Sequence, residues 1–99
     1  MNEKYIQFIR DAIKQKHGCL ARYVETKHVK EEFQGKVWEG DVELFDLAGH
    51  ATARKCFAWR FLNPDGHWEY VTILNPPVMT PGEAVRGHMA GSTQEKPSA

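Results

Sequence analysis

Along residues 3–16 apolar side chains return every third or fourth position. Tyr5, Ile6, Ile9, Ala12 and Ile13 share one stripe, with Lys4, Arg10, Asp11 and Lys14 largely on the other side. This period predicts an amphipathic helix to about Lys16, with Asn2 as its cap and Gly18 at the left-handed position that ends helices. From Cys19 the period shortens towards two. Residues 20–32 read as a long, charged, partly alternating strand, and Gln34-Gly35-Lys36 as a turn. A second strand spans 36–47, where Gly40 predicts a bulge because a glycine packs nothing and bends easily. On that strand Trp38, Val42 and Leu44 alternate with Glu39, Asp41 and Glu43. The alternation breaks at Phe45 and Leu47, which predicts a terminal twist or a change of register.

Two aromatic-rich strands follow, at 54–62 and 67–75, joined by Asn63-Pro64-Asp65-Gly66. Proline presets the backbone at the first turn position and glycine tolerates positive φ, so this is a hairpin signal. Asn75-Pro76-Pro77 stops the sheet. Thr80-Pro81-Gly82-Glu83 then has the form of a capping box, opening a short helix to about Ala90 with Ala84, Val85, His88 and Met89 as its contacts. The expected fold is a single α+β domain over residues 1–90, ordered α-β-β-β-β-α. It is a four-stranded antiparallel meander with both helices on one face, followed by a loose polar tail at 91–99.

That architecture leaves a difficulty. A sheet covered on one side should alternate apolar and polar residues. Here Phe57, Trp59 and Phe61 occupy one face of the third strand, and Cys56, Ala58 and Leu62 flank Arg60 on the other. On the fourth strand Trp68, Tyr70 and Leu74 oppose Val71 and Ile73. The second face then needs a cover. A second copy of the chain, an enclosed apolar ligand or stacked bases would each supply one, and so would a core paired differently from this reading. A homodimer through the aromatic face is the main expectation, and a small apolar ligand the next. Either would involve Trp38, Phe57, Trp59, Arg60, Trp68 and Tyr70, with His50 or Arg60 fixing a polar end.

Charge narrows the partners. Thirteen basic and thirteen acidic residues in a chain of 99 give a formal net charge of zero. Nucleic-acid binding, which draws its affinity from phosphate neutralisation, is therefore not expected. The order of elements resembles a double-stranded-RNA-binding domain, but the last helix offers only Arg86 where such domains carry a lysine cluster. An RRM-like reading lacks the Gly/aromatic signature and the intervening helix. No apolar run is long enough to span a bilayer, and the charged N-terminus lacks a signal-peptide centre, so no membrane partner is expected. Cys19 and Cys56 form no CxxC pair, which suits two reduced thiols in the cytoplasm.

The reactive-looking side chains carry bland readings as well as sharp ones. His50, in a Gly-His turn, could be a base at a pocket rim oriented by Asp46; a turn residue whose ring bonds the nearby backbone is the favoured alternative. Cys56 has Arg54 and Lys55 beside it in sequence, but strand alternation points Lys55 to the opposite face, and a cysteine among strand aromatics reads as a small buried hydrophobe. Cys19 has less claim still. His17, His28, His50, His67 and His88 show no metal-ligand spacing, and no metal or cofactor is predicted. Glu39, Asp41 and Glu43 share a strand face and could hold a cation, although a solvated face explains them more simply.

The run VELFDLAGHATARKCFAW, with VWEGDV before it, resembles a group of small uncharacterised bacterial proteins found among mobile gene cassettes. The shared pattern is Val-Trp-x-Gly, then Glu-x-Phe-x-Leu-x-Gly-His, then Ala-Trp, between Lys36 and Arg60. The resemblance implies a bacterial cytoplasmic protein and supplies no catalytic or binding residue. The resulting expectation is a non-enzymatic binding or interaction module that self-associates. The alternative is a small cone-shaped enzyme or apolar-ligand binder, with His50 at its pocket.

Overall fold

The computed structural model describes residues 3–95. Its elements are α1 (Glu3–His17), β1 (Leu20–Phe33), β2 (Lys36–Ala48), β3 (Lys55–Leu62), β4 (Trp68–Asn75) and α2 (Pro81–Glu95). The strands form one antiparallel sheet in the order β1-β2-β3-β4, the expected α+β meander. Gln34 and Gly35 both take positive φ, 51° and 82°. Two such residues twist a hairpin in the sense its strands require, so β1 and β2 pair along their whole length.

The two helices lie on opposite faces of the sheet, which corrects the expectation that both pack on one. α1 sets Ile9 and Ile13 against Cys19, Ala21, Phe45, Cys56 and Ala58. α2 sets Ala84 and Val85 against Val42, Phe57 and Trp59, with Met89, Val71 and Ile73 at the margin. The physical reason is the pattern that raised the difficulty: each face carries its own apolar set, and each set receives its own helix. The Asn75–Thr80 connection carries the chain round to the second face. There Glu83 N–H donates to Thr80 Oγ1 at 3.1 Å, and Glu83 Oε1 accepts from Met79 N–H at 3.0 Å. α2 runs on to Glu95, five residues past its expected end, so the tail predicted at 91–99 begins inside a helix. Gly87 and Gly91 each cost about 1 kcal/mol in a helix interior, which is why the sequence pattern reads shorter. Asn2 and residues 96–99 lie outside the described residues.

Two further local expectations change. The bulge is not at Gly40, which pairs regularly with Val29; it is at Val24 in β1, between the Tyr23–Phe45 and Glu25–Leu44 pairs. Gly40 serves another purpose. A Cβ there would sit 3.2 Å from the Trp38 indole, so the glycine lets that ring fold back along its own strand. The register change expected near Phe45 is the Val24 bulge itself: β1 slips by one residue between the Tyr23–Phe45 and Glu25–Leu44 pairs, while the alternation of β2 is unbroken. Residues 39, 41, 43, 45 and 47 all share the α1 face; the face turns apolar where α1 covers it and stays polar where α1 does not.

Candidate functional site

The sheet is not continuous between its two halves. β3 and β4 pair from Lys55–Asn75 to Leu62–Trp68, but β2 pairs with β3 only across Glu43–Asp46 and Lys55–Ala58. Beyond those pairs the strands part, and a cleft of about 500 Å³ opens between them. Its lining comes from β2 (Trp38, Glu39, Gly40, Asp41, Glu43), β3 (Arg60, Phe61), Trp68 of β4 and Tyr5 of α1. A volume of this size suits a small organic ligand.

One wall of the cleft is acidic. Glu43 is only 4% exposed. Its Oε1 accepts from the Thr26 hydroxyl, which is itself bonded to the Tyr23 hydroxyl. Burial, and secondarily the Asp41 charge, push the Glu43 carboxyl above the usual range, against the Thr26 bond. Glu39 and Asp41 are tied from outside by His28: Nε2 lies 2.8 Å from Glu39 and Nδ1 3.1 Å from Asp41. The Glu39 bond, then the Asp41 bond, raise the His28 pKa.

The opposite wall is aromatic and basic. The Arg60 guanidinium carbon sits 4.5 Å from the Tyr5 ring centroid and 4.1 Å from that of Trp68. Two such contacts hold a flat cation in place at about 0.5–1 kcal/mol each where solvent reaches. Among the described residues the Arg60 guanidinium makes no ion pair or hydrogen bond. Tyr5 lies between the walls: burial and then Glu43 push its phenol up to about 12, while Arg60 pulls the other way.

The six predicted contact residues are thus divided. Trp38, Arg60 and Trp68 meet at the cleft. Phe57 and Trp59 are 3% and 1% exposed beneath α2, so those rings have no surface to offer a second copy or a ligand. Trp59 instead meets Trp38 and His88 edge-on, at centroid distances of 5.6 and 5.7 Å. Tyr70 packs under α1, where its carbonyl accepts from Lys16 Nζ.

His50 and Asp46 are not brought together. His50 Nδ1 accepts the backbone N–H groups of Thr52 and Ala53 at 3.1 and 2.9 Å. Its lone pair is committed to the turn, which leaves the ring proton on Nε2 and no free base in this arrangement. Asp46 pairs with Arg22 at 2.8 Å and Lys55 at 2.9 Å, and the Lys55 bond above all lowers its pKa. Cys56 is fully buried; desolvation, then Cys19, push its thiol up to about 12, the reverse of what a nucleophile needs. Among the described residues no group of three or more His, Cys, Asp or Glu side chains is placed to hold a metal ion. Nor is any helix long and apolar enough to cross a membrane.

Sequence reasoning missed Tyr5 as a cleft residue and treated Glu43 as part of a solvated strand face. A signal for Glu43 existed: it is the last polar position before Phe45 and Leu47 on one face, where a covered region begins. The separation of β2 from β3 has no local signature.

No protein-family model, curated protein or solved structure matches the chain.

Proposed function

We propose that this protein is a non-enzymatic binding module whose small-molecule site is the cleft between β2 and β3. One observation carries the reading: the Arg60 guanidinium is clamped between Tyr5 and Trp68, at the edge of the cleft, with no acidic partner among the described residues. A guanidinium normally gains from a carboxylate fork, and three carboxylates line the same cleft. Holding it apart from them preserves a charged group for something that enters. Binding is favoured over catalysis because His50 and Cys56, the reactive-looking groups, lie elsewhere and are committed to a turn and a core.

The test is a screen of small aromatic acids, aromatic amines and amino acids by saturation-transfer NMR. It is repeated on Trp38→Ala and on Arg60→Gln, each checked for folding by circular dichroism. Hits at millimolar concentration that weaken in both variants support the site. An absence of hits, or hits indifferent to both changes, contradicts it.

A further inference from the structure

Resting on that reading, we infer that the cleft takes a small zwitterion, an α-amino acid with an apolar or aromatic side chain. The argument starts from which polar atoms of the cleft are already used. Thr26 occupies Oε1 of Glu43 and His28 occupies Oδ1 of Asp41. The second oxygen of each carboxylate makes no hydrogen bond among the described residues, and neither does any guanidinium N–H of Arg60. The cleft therefore has a donor end and an acceptor end that do not reach each other. A ligand carrying only a carboxylate would satisfy Arg60 and face Asp41 and Glu43 with like charge. A ligand carrying only an ammonium would pair with the carboxylates and lie near the Arg60 cation. Only a molecule bearing both charges meets both walls.

The remaining surfaces specify the third group. Trp38, Phe61 and Trp68 present ring area along the cleft, with Trp68 half-exposed at the mouth. Apolar side chains gain by covering such rings, and an aromatic one adds edge-to-face or stacked contacts. The Trp38 indole lies folded over Gly40, where a Cβ would come within 3.2 Å of it, and both residues line the cleft. The volume accommodates an amino acid with room for water at the open side. The preorganised guanidinium plane favours a carboxylate in particular, since two parallel N–H donors match its two oxygens.

The test compares three probes of one shape by isothermal titration calorimetry at pH 7: L-phenylalanine, hydrocinnamate without the ammonium, and phenethylamine without the carboxylate. Phenylalanine is expected to bind at least tenfold more tightly than either. Arg60→Gln should weaken phenylalanine tenfold or more and leave phenethylamine unchanged or tighter. Arg60→Lys, which keeps the charge and loses the fork, should fall between. Asp41→Asn should weaken phenylalanine and strengthen hydrocinnamate. Circular dichroism keeps a misfolded variant from counting. Equal binding of phenylalanine and phenethylamine would make the cleft an organic-cation site and overturn the inference. Equal binding of phenylalanine and hydrocinnamate would make it an acid site, with the same consequence. In both cases the ligand-binding reading survives, because the cleft still binds. If all three probes fail, the inference falls, and the wider screen decides separately whether the cleft binds anything.

Discussion

The two faces of the sheet solve the same problem differently. On the α2 face, apolar residues from β2, β3 and β4 meet Ala84 and Val85, and Val42, Trp59 and Val85 are fully buried or nearly so. On the α1 face the helix covers only the Phe45–Leu47 end of β2, and the Glu39–Glu43 end faces the cleft. The first face is spent on stability. The second leaves charged and aromatic side chains apart from one another, with water-accessible space between. Aromatic content alone therefore says little about where binding occurs: Trp59 and Trp38 touch in the same α2-face cluster, yet only Trp38 also reaches the cleft.

Breaking the covered face should have the largest effect. Trp59→Ala removes the largest fully buried side chain, and truncations of this kind cost about 3–5 kcal/mol. That is a substantial part of the roughly 5–15 kcal/mol total stability of a domain this size, so chemical denaturation should show a large drop in midpoint. Trp59→Phe should cost less than its lost volume suggests, because the indole Nε1–H is buried without an acceptor among the described residues. Cutting the chain after Asn75 would uncover Phe57 and Trp59. Its sedimentation mass should then rise above that of the full chain, and an unchanged mass with intact folding would contradict the role given to α2.

Perturbing the cleft should cost less stability and more binding. Gly40→Ala places a methyl within 3.2 Å of the Trp38 indole, which must shift by a few tenths of an ångström. The melting temperature should fall by only a few degrees, while probe binding weakens; the reverse ordering would remove Trp38 from the site. Glu43→Gln tests the acidic wall through pH. The folded carboxyl has its pKa raised, so its contribution is complete below the unfolded carboxylate value and is lost as pH rises through the folded value. Stability of the wild type should thus decline over the interval just above the ordinary glutamate pKa. The glutamine variant should be flatter there in urea titrations. His50→Ala is expected to have the smallest effect, about 0.5–1.5 kcal/mol from one lost cap of two backbone N–H groups, with no change in probe affinity.

Much of this was legible in the sequence, for identifiable reasons. The Ile9–Ile13 stripe, the Thr80–Glu83 cap and the Asn63–Gly66 turn are local patterns, and they produced α1, the start of α2 and the β3–β4 hairpin. The apolar residues on both faces of β3 and β4 were legible too. What they required was not, because a face needing a cover looks the same whether the cover is another chain, a ligand or α2. The cleft was the least visible. It depends on where β2 and β3 stop pairing, a long-range property that Glu43 and Arg60 carry no local mark of. Trp38, Arg60 and Trp68 are legible as contact residues, but only alongside Phe57 and Trp59, which are buried under α2, and Tyr70, which packs partly buried under α1.

The most direct test uses the three tryptophans as reporters. Each gives one indole N–H signal in a ¹H–¹⁵N spectrum, assigned by Trp→Phe substitution, and the three differ in place: Trp68 lines the cleft, Trp38 lines it while packing against Trp59, and Trp59 is buried beneath α2 without reaching the cleft. During titration with a probe that binds, the Trp38 and Trp68 signals should move together along one saturable curve while Trp59 moves least. A titration in which Trp59 moves most and the other two stay still would place the ligand in the α2 face, and would contradict the division of the molecule into a covered core and an open cleft.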